Sequence, residues 1–473
     1  MLTNARSIMA RAMSRLWFRT LRLEGPGLPE GAVLLVLNHP NGLLDPLVVS
    51  ALVEPVPRFL AKSTLWNILL LRPSLSFFEA IPVERAQDIG DTHMNEGDRP
   101  VASLPLLPPI GRSRALPLAS SQRQEPSPRA PHMMSGQSPA TTSGSRAEAT
   151  AKAFEAVHRA LGKNQRVGLF PEGISHGNAQ LAPLKTGAAR MALSSPVKPA
   201  LVPAGLVYGQ RELFRHNALL RLGGPIEYDD LFLEGDDPVA VKALTGRIRQ
   251  ALLPLTLHGP EEALQRLAED LAWLLAEAPR ERADLETLRL RTQSLLSVLA
   301  ALNEEERASL RSRVDDAKGW LQEQGLRPDQ VGFPYHAPQV RLWIGKAILH
   351  HLAALFIAPA ALLFWPPYRC TAWLTNRLTD EVDVVATYKL IGGLVFLPAW
   401  AALLLSLAAW RWGLTGAAAV LTLAMLAFLS LPLLERLKED WQAIRGYRHR
   451  AHPDAASLLK AKEELLSAFP QLR

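Results

Sequence analysis

The sequence predicts an α/β domain with a central mixed sheet flanked by helices, followed by a helical module and a C-terminal transmembrane hairpin. Three observations predict it. Short apolar runs alternate with helix-length stretches through the first half of the chain, the signature of a sheet covered on both faces. From about 236 to 330, Leu, Ala, Glu and Arg recur at helical spacing, as in EEALQRLAEDLAWLLAEA. Near the end, 390–410 and 412–434 are uncharged stretches of about 20 residues, the length needed to cross hydrocarbon.

Taken in order, residues 1–30 are expected as a basic amphipathic helix. Ile8, Met9, Met13, Leu16 and Trp17 can share an apolar face, while Arg6, Arg11, Arg15, Arg19 and Arg22 favour anionic headgroups. The segment lacks the uncharged core of a secretory signal. The α/β domain is placed at 31–230. Its first strand, GAVLLVLN at 31–38, follows a Gly/Pro-rich turn and ends in His-Pro-Asn-Gly. Further strands are expected at 59–62, 80–84, 166–170, 200–208 and 219–222, with helices at about 46–54, 63–71, 148–162 and 183–194. Residues 86–147, dense in Pro, Ser, Arg and Gly, have no sustained apolar period and are expected to form a disordered insert.

The module at 231–345 is expected to be soluble, and the membrane region to span 346–434. Only Arg411 separates the two uncharged stretches, so a tight hairpin is predicted. The apolar stretch 347–365 is broken by Pro359 and shortened by His350 and His351, and is expected to be re-entrant. These two histidines are adjacent and do not share a helix face, which favours headgroup contact over metal binding. Arg436, Lys438, Arg445, Arg448 and Arg450 make 435–473 a basic tail, cytoplasmic by the positive-inside rule and on the same side as the α/β domain.

Composition narrows the function. The 473 residues carry 52 Lys and Arg against 45 Asp and Glu, a formal charge of +7, with basic residues near the hydrophobic ends. The partner so indicated is a lipid surface; no nucleic acid is expected. A lone cysteine, Cys370, excludes an intramolecular disulfide and a cysteine-rich zinc site, and no metal or cofactor is expected.

The strongest local signal is Asn38-His39-Pro40-Asn41-Gly42-Leu43-Leu44-Asp45, where a buried strand ends and a helix can begin. Imidazole can take the proton of an attacking hydroxyl near neutral pH, so His39 suits a general base. A carboxylate a few residues on can hydrogen-bond its other nitrogen, and Asp45 is placed for that. Taken alone, the pair fits a capped helix start equally well. A second turn, Phe170-Pro171-Glu172-Gly173-Ile174-Ser175-His176, can present backbone N–H groups to a phosphate. Lys62, Arg85 and Lys185 lie beside other strand ends, where they can pair with a dianion or remain solvated charges.

With these residues in view, the chain resembles the phosphate/glycerol acyltransferases, whose four blocks occur in order: NHPNGLLDP at 38–46, AIPVERAQD at 80–88, FPEGISHGNAQLAPLKTGAA at 170–189 and LVPAGLVY at 201–208. Five residues between His39 and Asp45, AKSTL at 61–65, the Pro183-Leu184-Lys185 segment and DVVATYK at 383–389 are similar to the fungal-type glycerol-3-phosphate and dihydroxyacetone-phosphate branch. One departure is Glu79, where the family often has Gly.

The resemblance implies a membrane-bound acyltransferase with its catalytic domain on the cytoplasmic face. It would move an acyl group from acyl-CoA or acyl-carrier protein to the sn-1 hydroxyl of glycerol 3-phosphate, in phosphatidic acid synthesis. It implies catalytic roles for His39 and Asp45, and an acceptor-phosphate site shaped by Arg85, Glu172, Gly173 and Ser175, with Lys62, His176 and Lys185 as further candidates. Lysophosphatidate is the alternative acceptor. Two readings of other classes stand beside it: a serine esterase using the GxSxG pattern at 173–177, and a noncatalytic membrane lipid-binding protein.

Overall fold

The computed structural model describes residues 2–69, 71–83, 140–176, 180–209, 213–235, 237–276, 284–331, 336–379, 382–449, 459–460, 462–464 and 466–467. The chain divides into two compact units, one of residues 1–59 and 157–473, the other of 60–156. In chain order, the first unit contributes α1 (Leu2–Trp17), β1 (Phe18–Glu24), β2 (Val33–Leu37), α2 (Leu44–Leu52) and the start of β3 (Arg58–Lys62). The second holds the rest of β3, α3 (Arg72–Phe77), β4 (Ile81–Val83) and most of α4 (Ala140–Leu161). The first then resumes with β5 (Arg166–Leu169), α5 (Gly187–Leu193), β6 (Ala200–Tyr208), β7 (His216–Leu222), α6 (Asp229–Phe232) and α7 (Pro238–Leu252).

In the first unit the strands lie in the order β1-β7-β6-β2-β5-β3. β2 pairs in parallel with both β5 and β6, β6 runs antiparallel to β7, and β1 runs parallel to β7, so the sheet is mixed. β2 reads VLLVL with every residue buried, as expected of a parallel strand covered on both faces. In the second unit Leu60, Ala61 and Lys62 pair with Ile81, Pro82 and Val83. There Glu79 adopts φ 52°, the left-handed region, at the position where the family often has Gly.

Two expectations are corrected here. The N-terminal helix ends at Trp17 instead of running to residue 30, and FRTLRLE forms β1. Pairing with β7 decides this, Leu21 and Leu23 standing opposite Ala218 and Leu220. On α1 the packed face is Ser7, Ala10, Ser14 and Trp17, with Ser14 Oγ donating to the carbonyl of Leu47 in α2 at 3.4 Å. Trp17 therefore belongs to the core, while Ile8 and Met9 stay exposed. Of the insert expected at 86–147, residues 86–139 lie outside the described residues, and 140–147 are helical as the start of α4. Extending an existing helix costs little compared with nucleating one, so the Ala-rich run carries α4 back through them.

Helices α8 (Glu262–Leu274), α9 (Leu285–Ala301) and α10 (Glu304–Gln324) share an apolar cluster that includes Leu264, Leu267, Leu271, Leu295, Leu299, Leu310 and Val314. Asn303 and Glu306 cap the start of α10 reciprocally, and Gly325, left-handed at φ 63°, ends it. Toward the C-terminus follow α11 (Ala337–Leu363), α12 (Trp365–Leu378), α13 (Val382–Leu429) and α14 (Leu431–Arg448). Val340–Leu363 and Val384–Leu429 are long and apolar enough to cross a membrane, by length and composition.

α13 is a helical hairpin. At Gly413 the backbone leaves helical geometry (φ 59°, ψ −148°), and Gly416 packs against the carbonyl of Ala408, whereas a straight helix would hold these residues about 12 Å apart. Of the stretch expected to be re-entrant, residues 347–363 lie in the single helix α11, which includes Pro359 and gives way at Phe364 to α12. Trp400 Nε1 donates to the Leu363 carbonyl at 2.9 Å and Gly392 abuts Thr371, so α12 runs back along the first leg of α13. His350 and His351 both have partners within the protein. His350 Nδ1 lies 2.9 Å from buried Asp440 Oδ2, and His351 Nδ1 lies 2.7 Å from the Ala347 carbonyl.

Candidate active site

β2 ends at Leu37, and Asn38 continues the ladder with its side chain. Its Nδ2 donates to the Leu206 carbonyl at 3.0 Å and its Oδ1 accepts from Leu206 N at 2.7 Å, tying the end of β2 to β6. The next residue is thereby delivered at the strand's carboxyl end. His39 is held by its backbone to the 170–176 turn: its N–H donates to Glu172 Oε1 at 2.8 Å and its carbonyl accepts from His176 N at 3.2 Å. Gly42, at φ 45°, then turns the chain into α2.

His39 Nδ1 stands 2.8 Å from Asp45 Oδ2. An ionised carboxylate only accepts, so Nδ1 carries the hydrogen and Nε2 keeps the lone pair a base needs. Asp45 has no exposed surface and lies in the first turn of α2, where the helix N-terminus favours a negative charge. It accepts two more hydrogen bonds, from Asn41 N at 2.8 Å and from the Tyr208 hydroxyl at 2.6 Å. Burial, the Asp45 charge and the hydrogen bond to it push the Tyr208 phenol well above its ordinary pKa, so Tyr208 stays a donor. Phe170 stacks on the His39 ring, centroids 4.0 Å apart and planes 10° apart, and Phe59 stacks on Phe170 at 5.6 Å. These rings fix the imidazole plane.

Buried Glu172 accepts from His39 N, from Ala182 N at 2.8 Å and from His176 Nε2. Its carboxylate thus joins the two loops. Gly173 is left-handed at φ 74°, and a Cβ there would come within 2.6 Å of Lys185 Nζ. The lysine chain folds across this glycine, tethered by its backbone N–H to the Pro171 carbonyl at 2.7 Å.

The structure thus brings together His39, Asp45, Glu172, Gly173, His176 and Lys185, with Ser175 half-buried in the same turn. Lys62 lies in the second unit, and Arg85 lies outside the described residues. Sequence reasoning missed Tyr208 and Phe170 as partners of the dyad, although both stand inside recognised blocks. Their apolar settings signalled only core. A serine elbow needs a helix leaving the turn at once; β5 stops at Leu169 and, among the described residues, the next helix starts at Gly187. Among the described residues no group of His, Cys, Asp and Glu is arranged to hold a metal.

A histidine whose Nδ1 faces a buried carboxylate, at the end of a parallel strand and beside a turn with a lysine folded over it, has the chemistry to take a proton from a hydroxyl. Residues 21–207 match the Acyltransferase family model, so the chain carries an acyltransferase domain. It is 28% identical over 270 residues to a glycerol-3-phosphate O-acyltransferase 2 of Saccharomyces cerevisiae, covering 52% of this chain and 36% of that one. With a glycerol-3-phosphate O-acyltransferase 1 of the same yeast it shares 35% over 114 residues, 22% of this chain and 15% of the relative. An uncharacterized acyltransferase of Schizosaccharomyces pombe is 25% identical over 267 residues, 52% of this chain and 40% of the relative. The chain therefore spans less than half the length of each.

Proposed function

We propose that the protein transfers a fatty acyl group from a thioester, acyl-CoA or acyl-carrier protein, to the sn-1 hydroxyl of glycerol 3-phosphate. The observation that carries this reading is His39 held by buried Asp45, within an acyltransferase domain related to two yeast glycerol-3-phosphate O-acyltransferases. His39 Nε2 takes the proton of the acceptor hydroxyl as its oxygen attacks the thioester carbonyl. The C–O bond forms, the C–S bond breaks, and the imidazolium returns the proton to the departing thiolate. Asp45 stabilises the imidazolium in between. The acceptor attacks directly, so no acyl-enzyme and no cofactor is required.

The acceptor phosphate is assigned to the turn at Gly173, Ser175 and His176, with Lys185 as counter-charge. Glu172 serves that turn by holding it to the His39 loop. The uncharged legs of α13 and the apolar α11 support an integral membrane protein, and the basic C-terminal residues favour a catalytic domain on the cytoplasmic face.

Membranes carrying the wild-type chain, given one labelled acyl donor with glycerol 3-phosphate and lysophosphatidate in competition, test this. Glycerol 3-phosphate should be acylated preferentially, and His39→Ala should abolish turnover. Preferential conversion of lysophosphatidate would overturn the acceptor, and full turnover by the alanine variant would overturn the mechanism.

A further inference from the structure

Helix α2 carries Asp45, and its opening N–H groups are satisfied from outside the helix, that of Leu44 by the Asn41 carbonyl at 3.0 Å. The residue before its first turn is Leu43, whose side chain makes no capping hydrogen bond. The Leu43 N–H is satisfied from far along the chain: it donates to Thr387 Oγ1 at 3.2 Å. Thr387 stands in the opening turns of α13, at the beginning of the apolar stretch Val384–Leu429. The contact thus joins the mouth of the membrane hairpin to the loop between His39 and Asp45. The other end of the hairpin is tied down as well. In α14, Glu435 takes the Arg215 guanidinium at 2.5 Å, the same guanidinium donates to the carbonyls of Arg15 at 2.7 Å and Phe18 at 3.0 Å, and Glu439 pairs with Arg19. A hairpin held at both ends has little freedom to slide against the loop.

We infer that Thr387 is a positioning residue for the catalytic loop, accepting from the membrane segment the Leu43 N–H at the start of α2. Its hydroxyl acts through Leu43 and the first turn of α2 on Asp45, and through Asp45 on the His39 ring. The inference rests on the acyl-transfer reading of the site. It makes the membrane hairpin part of the apparatus that holds the dyad, in addition to any role as an anchor.

The test uses the full chain in its membranes, as wild type, Thr387→Val and Thr387→Ser. Valine keeps the shape and removes the acceptor oxygen; serine keeps the oxygen. The valine variant should lose roughly five- to ten-fold in kcat with both substrate KM values nearly unchanged, and serine should restore the wild-type rate. Hydrogen exchange in the 38–46 segment should quicken in the valine variant alone, a readout that does not depend on turnover. Wild-type kcat in the valine variant, equal losses in both variants, or unchanged exchange would overturn the inference. So would a fall in melting temperature with kcat per folded molecule intact. Activity that survives His39→Ala would instead overturn the proposed function, leaving the exchange result to decide the role of Thr387.

Discussion

Asp45 gathers three donors on a carboxylate without exposed surface: the His39 ring, the Asn41 amide and the Tyr208 hydroxyl. In such a setting each donor matters more than on a solvated surface, because water cannot replace one that is lost. Tyr208→Phe keeps the ring and leaves Asp45 Oδ1 without its phenol. The variant should fold with a stability loss of about 1–2 kcal/mol, and its kcat should fall by roughly ten-fold with KM little changed. Steady-state kinetics beside a melting curve check both, and an unaltered kcat would remove Tyr208 from the group that orients His39. Half of this cluster was legible in the sequence. His39 and Asp45 stand six residues apart in a loop and announce a pair, but Tyr208 lies 163 residues from its partner. Nothing local to LVPAGLVY distinguishes its last residue from an ordinary end of a buried strand; only the pairing of β6 beside β2 gives it a role. Glu172 shows the opposite case. Its block is plain in the sequence, yet the side chain faces inward to backbone amides, a use that residue type and spacing do not reveal.

The elements follow the sequence where burial is two-sided and depart from it where pairing decides. β2, β5 and β6 are apolar runs with no rival reading, whereas Arg19, Arg22 and Glu24 make β1 look like the end of a charged helix. The hairpin of α13 was legible because charge and glycine coincide at Arg411 and Gly413. Between β5 and β3 the packing carries a consequence for the site. Gly168 of β5 faces the Phe59 ring so closely that any Cβ would overlap it, and Phe59 supports Phe170, which supports His39. Gly168→Ala should therefore push Phe59 off its seat, costing about 1–3 kcal/mol in stability. It should also lower kcat more than the loss of folded protein explains. Rates normalised to active sites, read together with the melting midpoint, separate these effects. Normal kcat in a destabilised variant would show that the ring stack does not steer the imidazole.

For the molecule as a whole, one of the contacts that join the helical module to the sheet centres on Leu285. Leu285 of α9 packs with Val207 of β6 and Leu219 of β7, and beside it Glu286 takes Arg289 at 2.8 Å and Arg221 of β7 at 3.3 Å. Arg289 is itself buried and donates to the Pro254 carbonyl at 3.1 Å, so this ion pair joins three elements in partial shelter from water. The Arg289 hydrogen bond, followed by the charges of Arg289 and Arg221, holds the Glu286 carboxyl below its ordinary pKa against the opposing pull of burial. A depressed carboxylate binds protons more readily when unfolded, so its contribution is complete above the unfolded value of about 4.3. That contribution fades as pH falls through the lower folded value. Glu286→Gln should thus be less stable than wild type at neutral pH, and the gap should close as the pH is taken below about 4. Melting curves of both proteins in the same detergent, from neutral to acid, measure the gap directly. A gap that stays constant or widens toward acid would mean that Glu286 holds the module by its shape and neutral hydrogen bonds instead of by its charge. Val207 adjoins Tyr208 in β6, so the neutral-pH variant should also lose some turnover if the module helps to hold that strand in place.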